Sequence, residues 1–265
     1  MKKIAIFGVP RCGSSWLSQI FNSHPHVAMR FQPLFSYEHK SRLSANSSAR
    51  EILDFFNQIH KSRDAFVLMT SDLHKHYPSF SKSSIPTHIA FKETRYLHII
   101  QNILQQCSEI KIIGIVRNPL ATLASWMQAP KEFYTEWDIH AEWRKAPSKN
   151  QNRPEEFFGF DKWKEVAEHF IQFGSQYPDQ FKMLRYEQLN SNPLETATNL
   201  FKFCSLQMHP QVLKFIKSSK SVHDASPYSV FRAKANDQQW RYILPEDIVQ
   251  EIRREMSGTI LQTFL

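Results

Sequence analysis

Two short stretches hold residues whose types and spacing could do chemistry. The first is "GVPRCGSSWL", residues 8–17, where Gly8 and Gly13 flank Arg11 and two hydroxyls, Ser14 and Ser15, follow. Glycines allow a tight turn and a close approach of the backbone to a ligand. A helix starting at Ser14 aims its unpaired N–H groups and the positive end of its dipole into that turn. Arg11 adds a fixed charge and a planar donor fork. The pattern is close to G-x-x-x-x-G-K-[ST], but Ser14 stands where the lysine belongs. That lysine reaches the terminal phosphates of a nucleoside triphosphate. The stretch reads as an anion cradle of another kind, because a plain serine-capped turn leaves the glycines and the arginine unexplained. Cys12 could be a nucleophile, since a helix N-terminus lowers a thiol pKa. A cysteine phosphatase would need an arginine where Ser18 stands, so Cys12 reads instead as a small spacer whose backbone N–H matters.

The second stretch is "IIGIVRNPLATLASW", residues 112–126. It puts Arg117 at the end of an apolar run and Ser125 two turns into a helix that Pro119 can start. Arg117 could be a surface arginine at a strand end, yet two strand-end anion sites suit a ligand with two separated phosphates. A third, "FKETR", sets Lys92 beside Glu93. Glu93 is a candidate base; a salt bridge with Lys92 or Arg95 is the equal alternative.

The elements that must position these residues alternate between short β-branched runs and helical patterns, as in a parallel α/β sheet. Strands are predicted at 4–8, 27–31, 89–92, 112–116 and 182–186, and helices at 14–22, 96–107, 119–127 and 193–204. Such a sheet binds ligands at the carboxyl ends of its strands, where Gly8–Ser15, Glu93–Arg95, Arg117 and Tyr186 fall. Residues 41–50, 145–156 and 217–239 are polar and read as surface segments, some of them lids. No repeat or boundary divides the chain, so residues 1–265 are expected to form a single domain.

The chain has 265 residues, 42% of them hydrophobic, enough for a sizeable core. A charge of +8 suits anionic partners, but the basic residues are scattered, which favours a small anion over nucleic acid. Three cysteines cannot all pair and none has zinc spacing, so free thiols and no metal are expected. No apolar run approaches the ~20 residues that span a bilayer, and a cytoplasmic location is expected.

Together these segments resemble the sulfotransferases that use 3′-phosphoadenosine-5′-phosphosulfate. "GVPRCGSSWL" resembles that family's 5′-phosphosulfate loop, and "VRNPLATLAS" its 3′-phosphate motif. "LRYEQLNSNPLETATNLFKFC" and "FRAKANDQQWRYIL" resemble later family segments, the second a loop that closes over the nucleotide. The resemblance runs from about residue 3 to the C-terminus and implies a P-loop-like three-layer fold, a central parallel sheet flanked by helices. It implies that Arg11 meets the bridging oxygen and the sulfuryl group. Cys12, Gly13, Ser14, Ser15 and Trp16 would line the 5′ end. Arg117, Ser125 and Arg232 would hold the 3′-phosphate, and Tyr186 would lie near the adenine. The resemblance also implies in-line transfer without a metal.

The acceptor must give up a proton. The carbohydrate-directed branches often place a glutamate where this chain has Gln32, and the small-molecule branch has Lys-x-His where this chain has Lys92-Glu93-Thr94. Arg11, Lys92 and Glu93 are the expected catalytic set, with Glu38 and His39 as second choices for the base. "HPHV" followed by "PLF" looks closer to carbohydrate than to steroid sulfotransferases, so the expected acceptor is a saccharide, such as a glycan precursor or a membrane glycolipid met peripherally. Aromatics in "WMQAPKEFYTEWDIHAEW" could stack on sugars, or place Trp137 and Trp143 in the core. Two alternatives remain: a nucleotide or small-molecule kinase with a degenerate loop, and a nucleotide- or nucleic-acid-binding protein without catalysis.

Overall fold

The computed structural model describes residues 1–224, 226–231, 233 and 237–265. Five parallel strands form one sheet: β1 (Lys2–Phe7), β2 (Val27–Phe31), β3 (His88–Glu93), β4 (Ile110–Val116) and β5 (Phe181–Arg185). Their spatial order is β2-β3-β1-β4-β5, so the chain leaves the central β1 toward one edge and returns on the other side with β4. A crevice opens at such a reversal, beyond the carboxyl ends of the central strands. Ile4 to Phe7 are fully buried on both faces, as expected of a strand covered by helices on each side.

Pairing sets which residues share a face. Phe7 lies beside Glu93 on β3 and Gly114 on β4, and Ala5 beside Phe91. On this face Phe91 packs against Phe7 and against Phe55 and Phe56 of α2 (Ala49–Lys61). A buried phenylalanine contributes about 1.5–3 kcal/mol. Gly114 has no room for a side chain, since a Cβ there would fall 2.5 Å from Phe181 and 2.6 Å from Phe170. Phe170 belongs to α7 (Phe160–Gln176), so this glycine lets α7 lie close on the sheet.

The other helices are α1 (Ser14–Asn22), α3 (Ile100–Gln106), α4 (Pro119–Met127), α5 (Ile139–Glu142), α6 (Pro147–Asn150), α8 (Tyr186–Ser191), α9 (Pro193–Phe203), α10 (Pro210–Ser221), α11 (Trp240–Ile243) and α12 (Glu246–Met256). α1 packs against β2, β3 and α10. Its carboxyl end is closed by Lys82, whose Nζ donates to the carbonyls of Asn22, of His24 and, at 2.8 Å, of Val27. The α/β architecture with a central parallel sheet is the one expected.

Several details differ from the sequence reading. The helix expected at 96–107 is a 3-10 turn, Leu97–Ile99, followed by α3, because Tyr96 takes a left-handed conformation (φ 57°). The serine-rich segment 41–50 ends in the cap of α2, where Ser48 and Glu51 satisfy each other's backbone N–H groups. Residues 145–156 lie mostly at the surface, as expected, but are tied down. The Asn150 amide donates to the carbonyls of Lys145 and Phe158 and accepts from Phe158 N, while Glu156 pairs with Arg95 at 2.9 Å. Trp143 is buried and Trp137 half-buried, around a helix of only four residues.

Candidate active site

A cavity of about 620 Å³ opens beyond the carboxyl ends of β1, β3 and β4. The turn from β1 into α1 forms its floor. Arg11 (φ 71°) and Gly13 (φ 93°) both take left-handed backbone conformations, which reverse the chain within a few residues. Gly13 is needed twice over, because a Cβ there would also meet the Tyr186 ring at 2.3 Å. No side chain caps α1. Its first N–H groups, at Ser14, Ser15 and Trp16, therefore have no intrahelical acceptor, and these three residues line the cavity. Trp16 is fixed by its indole N–H, which donates to Ser219 Oγ at 3.0 Å, and its ring meets that of Tyr186 edge-on.

Arg117 leaves the end of β4, and its carbonyl is pinned by the Trp163 indole at 2.9 Å. Its guanidinium donates to the Arg11 carbonyl at 3.1 Å and to Asp237, and lies 4.7 Å from the centre of the Tyr186 ring. Its Nε is buried and has no hydrogen-bond partner among the described residues. Ser125 sits two turns into α4, which Asn118 caps and Pro119 starts. The Arg11 side chain crosses to this second anchor. Nε donates to Ser125 Oγ at 3.2 Å, one Nη donates to the Pro227 carbonyl at 2.7 Å, and the other lies 3.8 Å from Glu132.

On the opposite wall, Lys92 is buried with its ammonium 4.5 Å over the Phe31 ring. Burial holds its pKa well below the usual lysine value, against the opposing charge of Glu93. Gln32, in a left-handed conformation (φ 39°), donates from its amide to Thr94 Oγ1. Among the described residues Arg11, Lys92, Arg117 and Lys220 bring positive charge to the lining, against Glu132 and Asp237. The balance favours a polyanionic ligand.

The structure thus brings Arg11, Gly13, Ser14, Ser15, Trp16, Lys92, Arg117, Ser125 and Tyr186 around one cavity. It does not bring Glu93 there. Successive strand residues point to opposite faces, so Lys92 and Glu93 cannot both serve the cavity. Glu93 is fully buried on the α2 face, where Oε1 accepts from Leu34 N at 2.8 Å and fixes the turn Pro33–Phe35. Burial raises its pKa. Glu38 and His39 are 3.3 Å from each other, Glu38 also accepts from Ser62, and neither lines the cavity. The Cys12 thiol is buried beneath the loop and pushed up by burial, and its N–H lies 3.3 Å from the Val9 carbonyl, so it is not free for a ligand. Arg232 lies outside the described residues.

Sequence reasoning missed Tyr77, Glu132, Ser219, Tyr228 and Asp237, all of which line the cavity. Glu132 and Asp237 sit in turns, where no periodicity marks a residue; only their type and their place near the anchors could have found them.

Fold and site together define an α/β protein with a largely basic cavity at the reversal of its sheet, of a shape and charge suited to a two-ended anion. Residues 3–210 match the model of the sulfotransferase family, and the chain belongs to that family. Carbohydrate sulfotransferase 3 of Tetronarce californica is 27% identical over 180 residues, 63% of this chain and 39% of the relative. Carbohydrate sulfotransferase 1 of Danio rerio is 22% identical over 318 residues, 93% of this chain and 73% of the relative. The chain spans about two fifths of the length of the first of these. The fold is also that of mouse sulfotransferase SULT7A1 complexed with PAP, with a TM-score of 0.58, 13% identity, and coverage of 99% of this chain and 86% of that one. The sulfotransferase domain from the curacin biosynthetic pathway gives a TM-score of 0.54 at 16% identity, covering 96% of this chain and 97% of that one.

Proposed function

We propose that this protein transfers the sulfuryl group of 3′-phosphoadenosine-5′-phosphosulfate to a hydroxyl of a saccharide. One observation carries the reading. The β1–α1 turn and the Arg117–Ser125 anchor, over a hundred residues apart in sequence, meet in one cavity through the Arg11–Ser125 and Arg117–Arg11 hydrogen bonds. The N-terminus of α1 suits the 5′-phosphate. Arg117 and Ser125 suit the 3′-phosphate, and Trp16 and Tyr186 present aromatic surface for the base. Arg11 and Lys92 are placed to stabilise charge that grows on the bridging oxygen as the sulfur–oxygen bond breaks. The saccharide is favoured by the relatives named carbohydrate sulfotransferases. A glycan precursor or a glycolipid headgroup at the cytoplasmic membrane face fits the same reading.

The test is calorimetric titration with adenosine 3′,5′-bisphosphate beside ATP with Mg2+, on the wild type and Arg117→Ala. Bisphosphate binding that the variant weakens by about tenfold to hundredfold, as expected when charged hydrogen bonds are lost, supports the donor site. A preference for ATP would replace this reading with the kinase one.

A further inference from the structure

The sulfuryl donor accounts for one half of the cavity. The other half must take a proton from the acceptor, and the residues expected to do so are absent or turned away. The two positions where family resemblance puts a base hold Gln32 and Thr94, and these hydrogen-bond to each other. Glu93 serves the other face of the sheet.

Two carboxylates line the cavity among the described residues. Asp237 is held by Arg117, at the anchor for the far phosphate. Glu132 is 3.8 Å from Arg11, the residue placed at the transferred group. Its Oε2 is buried and makes no hydrogen bond among the described residues. Its backbone is fixed on both sides, with N donating to the Ala129 carbonyl at 2.8 Å and the carbonyl accepting from the Trp126 indole at 3.0 Å. The carboxylate is thus held at the cavity by a turn with two fixed backbone hydrogen bonds, its side chain about a quarter exposed and its buried Oε2 beside Arg11 without a hydrogen bond among the described residues. His223, the remaining imidazole on the lining, is exposed.

We infer that Glu132 is the general base of the transfer, standing in for the base that Gln32 and Thr94 do not supply. The inference rests on the donor reading above. In the step, Glu132 takes the proton of the acceptor hydroxyl, and the oxygen's electron pair forms the new bond to sulfur. The bond from sulfur to the bridging oxygen breaks, and its pair leaves on the 5′-phosphate. The products are the sulfate ester, the adenosine bisphosphate and protonated Glu132, which returns its proton to solvent. A positioned base of this kind contributes roughly 10²–10⁴ in rate.

The experiment compares wild type with Glu132→Gln, using labelled donor and two acceptors, chitobiose and 4-nitrophenol. A sugar hydroxyl needs a base, whereas nitrophenol is already ionised in mildly alkaline buffer. The expected result is a fall of about hundredfold or more in the ratio of the chitobiose rate to the nitrophenol rate, with bisphosphate affinity within about threefold. A parallel loss on both acceptors would overturn the inference, because Glu132 would then act by orienting Arg11. An unchanged ratio would overturn it too. Wild-type bisphosphate titration separates the two levels of the argument. Failure to bind sinks the donor reading and this one with it, whereas intact binding with an unchanged ratio sinks only the base.

Discussion

The two walls of the cavity are built by different means. The wall at the β1–α1 turn and Arg117 uses backbone: a left-handed turn, a helix start with no side-chain cap, and a strand end. The wall at Gln32, Lys92, Thr94 and Glu132 uses side chains delivered by three separate segments. The first is constrained by its backbone, since Gly13 has no room for a side chain. The second depends on side-chain contacts such as that of Gln32 with Thr94 and of Glu132 with Arg11. One wall therefore suits a ligand that stays the same and the other a ligand that can change.

Gly13→Ala is the severest way to test the backbone wall. It imposes a Cβ at φ 93° and 2.3 Å from the Tyr186 ring, so bisphosphate binding should fall by at least ~100-fold, equivalent to about 3 kcal/mol. Titration of the variant alone and combined with Tyr186→Ala checks this; if removing the ring restores binding fully, the turn itself is not what matters. Arg117→Lys should weaken the same binding by about tenfold, since a lysine keeps the charge but not the fork. On the other wall, Gln32→Glu in the Glu132→Gln background should recover chitobiose transfer by several-fold, roughly the part of a base's effect that an imperfectly placed carboxylate can return. Bisphosphate affinity should not change. A loss of affinity there would show that the walls are not independent.

The smallest effect concerns stability rather than binding. Burial holds His24 and His74 at about 4, below the ordinary 6.5. As pH falls from 6.5 the unfolded chain takes these protons first, so stability falls with acid until the folded imidazoles also titrate near 4. The expected loss is roughly 2 kcal/mol per histidine by pH 5, read as a lower urea midpoint than at pH 7. His74 packs on Phe31 at the side-chain wall at 4.6 Å, and His24 bonds the Gln207 carbonyl near α9. A midpoint that does not move would show that neither imidazole is kept neutral by its surroundings.

The same contrast explains what the sequence revealed. The spans of α1, β2 and α4 match the sequence reading because each is governed by neighbours in the chain, such as Pro119 at the first helical position. The backbone wall is local in the same sense, so its residues could be read directly. Glu93 was misplaced for a physical reason: strand alternation, which should have opposed it to Lys92, was set aside for its nearness in sequence. Glu132 left no periodic trace, and only tertiary folding brings it to Arg11. The polar composition of 145–156 marks a surface segment, and most of it is exposed, but composition does not show that one buried amide, that of Asn150, organises it.

Lys82 gives α1 a property that its own sequence lacks. The helix carries no basic residue in its last turn, and the ammonium that closes its carbonyl end arrives from 60 positions away. The helix is thereby bracketed, with a three-way donor at its carbonyl end, whose pKa burial lowers to about 7, and an N-terminal pole that favours anions. The first residue of β2, Val27, shares the same ammonium. The strand that leads to Gln32 and the helix that starts at the cradle are thus moored to one side chain, at the end of α1 away from the cavity.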